Sequence, residues 1–379
     1  MKKIFAVVLC VAMILALAAC GGSTTSSTPA ASAPAASAST AASTAAPAAA
    51  GSDWVDIGPY TNTTETQGKS NDLVIIISNG AGESAPVVQA CLTHYAPLIE
   101  NGSKGKIGVE VYSNGQIGND TVASEMIIAG QLEAAIPSTA PLVGYVPELA
   151  IFDMPFLFAD EAEADYILSS ELADFIDAKL ADKGVMNLAW AENGFRELTN
   201  SKVDVKSADD IVGLKIRTME NAIHQEIWNS LGATATPMST SELYTALEQK
   251  VVDGEENPVA NFYSYQFQEV QKNVCFTNHV YSPFVCIYSK QIWDTYDQDT
   301  QNLIKDAAEQ YAVEEKRVNR EQAEICLQSC INDYGMTATY PDEAMMQTLR
   351  DKTAHVADMI AETTGQEVFD LYNKVKAAR

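Results

Sequence analysis

Basic residues and histidines are scarce in this chain. Its 379 residues contain 24 Lys and Arg against 50 Asp and Glu, so the formal net charge is -26. Such acidity disfavours binding to nucleic acid or to anionic lipid headgroups, because both are negatively charged. The chain has only 4 histidines, and they are dispersed along it. The sequence therefore predicts no metal site and no bound cofactor.

Common catalytic motifs are also missing. The chain has no G-x-S-x-G, no H-E-x-x-H, no P-loop and no G-x-G-x-x-G after a predicted strand. We therefore predict no catalytic residue, and a secreted lipoprotein enzyme is the least favoured of the function classes considered. A purely structural surface protein is a further alternative.

The cysteines do not follow a disulfide pattern. Beyond the N-terminal region there are five, at irregular spacing: Cys91, Cys275, Cys286, Cys326 and Cys330. An odd number at such spacing is not a disulfide framework. Cys326 and Cys330 are four residues apart and would share one face of a helix. We interpret them as small residues on a buried face rather than as part of a metal site.

The N-terminal region has its own signature. Lys2 and Lys3 precede an apolar run at residues 4–17 that is shorter than the ~20 residues of a membrane span. The ending LAAC, at Cys20, resembles a bacterial lipobox, so residues 1–20 are predicted as a lipoprotein signal peptide with lipidation at Cys20. An ordinary signal peptide with an incidental cysteine is the alternative. Residues 21–70, rich in Ser, Thr, Ala and Pro, are predicted as a disordered tether.

The remaining residues alternate between strand-like and helix-like segments, which indicates an α/β fold. About 310 residues are too many for one small core and are typical of two lobes. Residues 73–78 read as a buried strand. Residues 298–334 have the apolar spacing of one long helix, which would run across both lobes. Two further helices are expected near residues 342–361 and 365–378.

Three polar residues stand out from the acidic background. Arg217 ends the apolar run 214–216, Arg196 follows a predicted strand, and Asn257 precedes Pro258, which restricts it to an extended or turn geometry. Strand ends of open α/β sheets bind ligands. An arginine fork matches a carboxylate, and an asparagine can orient such an anion.

Internal pairing is the alternative interpretation, because a buried guanidinium requires an anionic partner. Candidate partners are Glu220, Asp253 or Glu255 for Arg217, and Glu192 or Glu197 for Arg196. Three aromatic residues could line a pocket, although their helical spacing is more typical of a core: Phe262, Tyr263 and Tyr265.

Six patterns in order give the chain a family resemblance. They are GKIGVEVYSNGQIGND (105–120), PELAIFDMPFLF (147–158), NGFRELTN (193–200), GLKIRTME (213–220), LGATATPMSTSELYTALEQKVVDGEENP (231–258) and EVQKNVCFTNH (269–279). From about residue 73 to the C-terminal helices, the sequence resembles the extracytoplasmic solute-binding subunit of a tripartite ATP-independent periplasmic (TRAP) transporter of the DctP type.

The resemblance implies a periplasmic-binding-protein-like fold of two lobes, joined by a hinge and braced by a long helix. We expect residues 71–193 and 282–322 in lobe I, and residues 194–281 and 323–379 in lobe II. Arg217 would bind the ligand carboxylate. The other expected cleft residues are Arg196, Asn257, Glu220, Ser138, Asn79 and Thr240.

The sequence also departs from the family pattern. Glu255 stands where Gln is common. Relative to the branch that binds sialic acid, Ser138 stands where an acid is usual and Thr240 where an aromatic is usual, so sialic acid is disfavoured. A smaller organic acid remains open: a C4-dicarboxylate, a 2-oxo acid or a sugar acid. An ionised Glu220 would repel a second ligand carboxylate, which favours a hydroxylated monocarboxylate.

As function, the resemblance implies a receptor for a small organic anion. It would be anchored by lipid to the outer face of the cell membrane, or be periplasmic. It would act as a monomer and deliver its ligand to the large and small membrane subunits of an ion-gradient-driven transporter. The alternatives are a binding protein for an ABC importer and a ligand sensor for a signalling partner.

Overall fold

The computed structural model describes residues 72–379, which belong to one compact unit. The predicted signal peptide, the lipidation at Cys20 and the tether lie outside the described residues. Within residues 72–379, no helix is both long enough and apolar enough to cross a membrane.

The described residues form eleven strands. In chain order they are β1 (Leu73–Ser78), β2 (Ile107–Tyr112), β3 (Ala134–Ala135), β4 (Val185–Phe195), β5 (Glu197–Asn200), β6 (Lys215–Thr218), β7 (Thr234–Pro237), β8 (Gly254–Asn257), β9 (Asn273–Cys275), β10 (Tyr281–Ser289) and β11 (Thr337–Thr339).

The same residues form thirteen α-helices. They are α1 (Pro86–Ala90), α2 (Ala96–Gly102), α3 (Asp120–Ile128), α4 (Glu161–Ile167), α5 (Glu171–Asp182), α6 (Ala222–Ser230), α7 (Thr240–Glu248), α8 (Val259–Ser264), α9 (Lys290–Trp293), α10 (Gln298–Asn332), α11 (Glu343–Thr353), α12 (Val356–Thr364) and α13 (Gln366–Ala377). A π-helical turn, Cys91–Tyr95, joins α1 to α2. Short 3-10 helices cover Ala140–Gly144, Pro147–Asp153, Ala208–Ile211 and Phe267–Glu269.

The first sheet has the order β2-β1-β3-β10-β4. The interior strand β1 has the sequence LVIIIS, and its neighbours β2 and β3 are both parallel to it. Because side chains alternate along a strand, Ile75 and Ile77 enter one core while Ile76 packs against a second core on the other face. Burial on both faces explains the uninterrupted apolar run of β1.

The second sheet has the order β11-β9-β5-β8-β6-β7. Leu198 and Ile216 face one core, which also holds Trp228 of α6. Val274 faces the core on the other side, with Phe262 of α8. Each sheet thus has a core on both faces, and the prediction of a two-lobe α/β fold is confirmed.

The chain crosses between the sheets where one strand leads directly into another. Strand β4 of the first sheet continues into β5 of the second, with only Arg196 between them, and β9 leads to β10 through residues 276–280. The expected lobe boundaries, at 193/194 and 281/282, fall within two residues of these crossings.

The predicted long helix is confirmed as α10, which has 35 residues. Asp297 caps its N-terminus, where the carboxylate accepts a hydrogen bond from the Thr300 N–H at 2.8 Å. The first half of the helix contributes Tyr311 to a core of the first lobe, and the second half contributes Leu327 to a core of the second. One rigid element therefore braces both lobes.

The C-terminal helices correct two expectations. The helix expected over residues 342–361 is broken near residue 354, so α11 and α12 are separate. The assignment of residues 323–379 wholly to lobe II is wrong for α13, because its apolar face packs on α5 of the first lobe. Val368, Tyr372 and Val375 are buried in that core. The end of the chain thus returns to the first lobe.

All five cysteines of the described region are buried and unpaired, and Cys326 and Cys330 lie on the apolar face of α10, as predicted.

Candidate ligand-binding cleft

A cavity lies between the two lobes, and its empty space, including the part open to solvent, is about 610 Å³. The loop at Gly80 and Ala81, the start of α3, and Ser138 border it from the first lobe. From the second lobe it is bordered by Arg217, residues 238–241 and Asn257. These positions follow strand ends, where an open α/β sheet leaves backbone and side-chain groups free for a ligand.

Arg217 is the buried cation of this cavity. Its side chain is only 2 % exposed. The guanidinium donates from Nε to the Met238 carbonyl at 2.8 Å and from Nη2 to the Thr240 hydroxyl at 3.2 Å. Both acceptors are neutral, and Nη1 makes no hydrogen bond with any of residues 72–379. The fork is thus held in place with donors still available.

No carboxylate of residues 72–379 lies within 4 Å of the Arg217 guanidinium, although Glu255 and Glu256 act on it from a greater distance. Burial lowers the pKa of Arg217, and Glu256 opposes that change. The expected internal partner for Arg217 is not found. Asp253 pairs with Lys202 at 3.3 Å, while Glu220 contacts the other lobe. A buried guanidinium without a close anion is suited to receiving one from a ligand.

Arg196 lies behind the cavity rather than on its wall. It is fully buried and forms an ion pair with Glu256, with Nη2 2.9 Å from Oε1. The same Nη2 donates to the Asn257 Oδ1 at 3.1 Å. Neither Glu192 nor Glu197, the partners considered from the sequence, pairs with Arg196. Its contact with the site is therefore made through Asn257.

Glu256 is the centre of a buried charged cluster. Besides Arg196, it faces His279 Nε2 at 3.1 Å and His224 Nδ1 at 3.7 Å. Burial opposes its ionisation, but Arg196 and the two histidines hold the pKa of Glu256 well below its usual range. His224 in turn pairs with Asp153 at 3.0 Å. This cluster joins the crossing between the sheets to the base of the cleft.

Asn257 lines the cavity and has a fixed amide orientation. Its Nδ2 donates to Glu255 Oε2 at 2.5 Å, while its Oδ1 accepts from Arg196. Glu255 also accepts a hydrogen bond from the Thr199 hydroxyl at 2.7 Å. Strands β5 and β8 come close together because residue 254 is glycine, since a Cβ there would lie 2.1 Å from the Thr199 carbonyl.

Glu220 lines the cavity and reaches across it. Its Oε2 accepts a hydrogen bond from the Thr121 hydroxyl at 3.1 Å and faces the Asn119 amide at 3.4 Å. Both partners are at the N-terminal end of α3, in the first lobe. The carboxylate predicted to face a ligand therefore also connects the two lobes.

Asp120 is a cavity residue that was not predicted from the sequence. Its Oδ2 accepts a hydrogen bond from the Ser138 N–H at 3.0 Å. Burial raises the pKa of Asp120 to about 6, although the backbone of Ser138 and the charge of Arg217 oppose the rise. A Cβ on residue 80 would lie 2.4 Å from Oδ1, so Gly80 makes room for this carboxylate. The only sequence signal was its place in the pattern GQIGND.

Two further asparagines link the lobes at the base of the cavity. Asn193 donates to the Ser138 hydroxyl at 3.0 Å and accepts a short hydrogen bond from Asn261 of α8. Both asparagines line the cavity, as does Tyr265, whose hydroxyl donates to the Gly80 carbonyl at 3.3 Å. Of the three aromatic residues considered, Phe262 is buried in a core and Tyr263 does not line the cavity.

The seven residues predicted for the cleft divide into two groups. Five line the cavity: Arg217, Asn257, Glu220, Ser138 and Thr240. Arg196 and Asn79 do not line it and lie just behind it. Asn79 accepts from the Ala81 N–H at 2.7 Å and donates to the Ile136 carbonyl at 3.2 Å, so it shapes the loop that borders the cavity.

Residues 77–364 match the family of bacterial extracellular solute-binding proteins, family 7 (DctP). The chain belongs to this family. The C4-dicarboxylate-binding periplasmic protein DctP of Rhodobacter capsulatus is 30% identical over 276 residues, which cover 72% of this chain and 82% of the relative.

Two solved structures share the fold. The sugar acid binding protein DctPAm from Advenella mimigardefordensis, in complex with galactonate, has a TM-score of 0.78 and 33% identity, covering 81% of this chain and 99% of that one. A TRAP periplasmic solute binding protein from Polaromonas, bound to D-erythronate, has a TM-score of 0.75 and 30% identity, covering 80% and 98%. The resemblance to TRAP solute-binding subunits is thus confirmed over nearly the whole described region.

Proposed function

We propose that this DctP-family protein binds the carboxylate of a small organic acid at Arg217 and encloses the ligand between its lobes. The observation that carries the proposal is the guanidinium of Arg217, which is 2 % exposed, borders the cavity and has no carboxylate of residues 72–379 within 4 Å. Asn257 and Thr240 border the same cavity and offer further hydrogen bonds. The charge of the ligand would complete the pairing.

A hydroxylated monocarboxylate, such as a sugar acid, suits the rest of the cavity. Asp120 and Glu220 both border it, and each has carboxylate oxygens that can accept hydrogen bonds from ligand hydroxyls. The same oxygens would repel a second carboxylate on the ligand. The relatives with galactonate and D-erythronate support this preference.

A C4-dicarboxylate is the second candidate, because the relative from Rhodobacter capsulatus is named for that ligand class. Two features of this chain reduce the cost of a second ligand carboxylate. The Glu220 carboxylate already accepts a hydrogen bond from the Thr121 hydroxyl, which stabilises its charge. The pKa of Asp120 is raised to about 6, so protonation near that pH would remove its charge.

The bound ligand would pass to the membrane subunits of a TRAP transporter. Lipidation at Cys20 and the tether of residues 21–70 would hold a monomeric receptor at the outer face of the membrane. No chemical step on the ligand is proposed, since binding energy favours the state in which the lobes enclose it. Delivery to an ABC importer or a signalling partner remains the rival, and genes for TRAP membrane subunits beside this one would argue against it.

A thermal-shift screen tests the proposal directly, because a ligand of the folded state raises the melting temperature. The panel holds galactonate, D-erythronate, succinate and a 2-oxo acid, each against the wild type and Arg217→Ala. We expect at least one acid to stabilise the wild type. Loss of Arg217 should lower its affinity by roughly 30- to 5,000-fold, since removing one partner of a buried charge pair costs about 2–5 kcal/mol.

The matched control is Arg317→Ala. Arg317 is an exposed arginine of α10 that pairs with Glu314 and does not border the cavity. This variant should bind like the wild type. If no acid stabilises the wild type, or if Arg217→Ala retains full affinity, the proposed site is wrong.

A further inference from the structure

Glu255 is a buried carboxyl group behind the proposed anchor. It is 0% exposed, and in the parallel pair β6–β8 it lies directly opposite Arg217. Residues in register on neighbouring strands point to the same face of a sheet. Glu255, Asn257 and Arg217 therefore share one face, and no basic group of residues 72–379 lies within 4 Å of the Glu255 carboxylate.

Both hydrogen bonds of Glu255 survive protonation. As a carboxylate it accepts from the Thr199 hydroxyl at 2.7 Å and from the Asn257 amide at 2.5 Å. As a carboxylic acid it can donate its proton to the Thr199 oxygen, because a hydroxyl is both donor and acceptor, and still accept from Asn257. The orientation of Asn257 is thus the same in both states, and only the charge behind the cavity differs.

Charged and titratable groups surround Glu255 on several elements. Arg217 of β6 favours its ionised form, and the adjacent Glu256 disfavours it, although Arg196 largely balances Glu256. On β5, Glu197 lies opposite Asn257 on the same face. Tyr265, which directly follows α8, raises the pKa of Arg217 through its charge. Asp120 interacts electrostatically with Arg217 from the other lobe. Cys326 and Cys330 of α10 lie in the core on this face and remain neutral.

We propose that Glu255 takes up a proton from water when an organic anion binds at Arg217, so that the cleft binds the anion and the proton together. The bound anion adds a negative charge near Glu255. It also compensates the positive charge of Arg217, which favours the ionised form of Glu255 in the free protein. Both effects favour the neutral acid. Glu255 is a positioning residue here, because it acts on the ligand through Asn257 and Arg217. The inference rests on the proposed function.

The resting ionisation of Glu255 makes this exchange measurable near neutral pH. Burial raises the pKa of Glu255 to about 7, with the Thr199 and Asn257 hydrogen bonds opposing the rise. A bound anion raises that pKa further, so the complex holds more protons than the free protein. By linkage, affinity must then fall as pH rises. Asp120, whose pKa is about 6, is mostly ionised in the free protein above pH 7, so its own proton uptake on ligand binding falls off at lower pH than that of Glu255.

Calorimetric titration with galactonate tests the proposal, repeated at pH 7.5 in buffers of different ionisation enthalpy to count protons. D-erythronate or succinate replaces galactonate if the latter gives no binding heat. The wild type should take up about half a proton per ligand, and its affinity should fall about five- to twentyfold between pH 6.5 and pH 8.5. Glu255→Gln keeps the shape without the charge, so it should take up no proton and vary less than twofold.

Thr199→Val is the second variant, in case Glu255→Gln does not fold. It removes a hydrogen bond that favours the ionised form, so the pH at which affinity falls should move upward. Binding by the wild type without proton uptake, or a pH dependence that persists in Glu255→Gln, would overturn this proposal and leave the proposed function intact. Absence of binding by every acid of the screening panel, the 2-oxo acid included, would overturn both.

Discussion

Glu220 of the second lobe accepts a hydrogen bond from the Thr121 hydroxyl of the first lobe, with 3.1 Å between the two oxygens. The bond crosses the mouth of the cavity, so it exists only while the lobes are together. Because the pair is partly exposed to water, its contribution is modest, about 1 kcal/mol or less.

Removing the hydroxyl with Thr121→Val should weaken ligand binding by about two- to fivefold. Glu220→Ala loses the same bond and also a group that borders the ligand, so the double variant should bind no more weakly than Glu220→Ala alone. Calorimetric titration with the acid selected by the screen measures the cycle. Glu309→Ala, at an exposed glutamate of α10 that pairs with Lys305, is the control. Additive losses would show that the two residues act separately.

Arg217→Lys should bind the ligand at least tenfold more weakly than the wild type. The guanidinium is held by the Met238 carbonyl and the Thr240 hydroxyl while leaving donors for a carboxylate, and one ammonium cannot reproduce that planar arrangement. The variant keeps the charge, so it separates geometry from electrostatics when compared with Arg217→Ala. Equal affinities for the lysine variant and the wild type would mean that charge alone is sufficient.

Asp120→Asn should change selectivity. The carboxylate accepts from the Ser138 N–H and borders the cavity, and an amide has one acceptor oxygen where the carboxylate has two. We expect affinity for galactonate to fall about tenfold, in keeping with the loss of one charged hydrogen bond. Succinate should lose less or bind more tightly, because a negative charge is removed. The ratio of the two dissociation constants at pH 7.5 measures the effect, and an unchanged ratio would contradict it.

The sequence predicted the fold well because its signals are local. The apolar run of β1 and the spacing of α10 follow directly from burial on both faces and from helical periodicity. The break between α11 and α12 was missed because apolar spacing continues across it. The packing of α13 on the first lobe could not be predicted, because the apolar spacing of a helix shows which face is buried but not which surface buries it.

The cleft was predicted less completely, for a physical reason. The partners predicted for Arg196 are its neighbours in the sequence, whereas the antiparallel pairing of β5 and β8 places Glu256, sixty residues away, beside it. Asp120 was missed because its role depends on how the start of α3 approaches Ser138. Arg217 and Asn257 could be predicted from their residue types and their positions at strand ends. Which of the predicted residues line the cavity and which lie behind it could be seen only in the tertiary structure.

The buried pair of His224 and Asp153, 3.0 Å apart, predicts how stability depends on pH. Burial disfavours the imidazolium, but Asp153 and Glu256 raise the pKa of His224 to about 9. A raised pKa means that this stabilisation is complete below about pH 6.5 and is lost as pH rises through 9. We expect the wild-type melting temperature to fall between pH 7 and pH 9.5, and His224→Gln to show a smaller fall over the same range. His355→Gln, at an exposed histidine beside Glu226, should follow the wild type. An equally steep fall in His224→Gln would assign the pH dependence to other groups, such as the buried Glu197, whose pKa is also raised by burial.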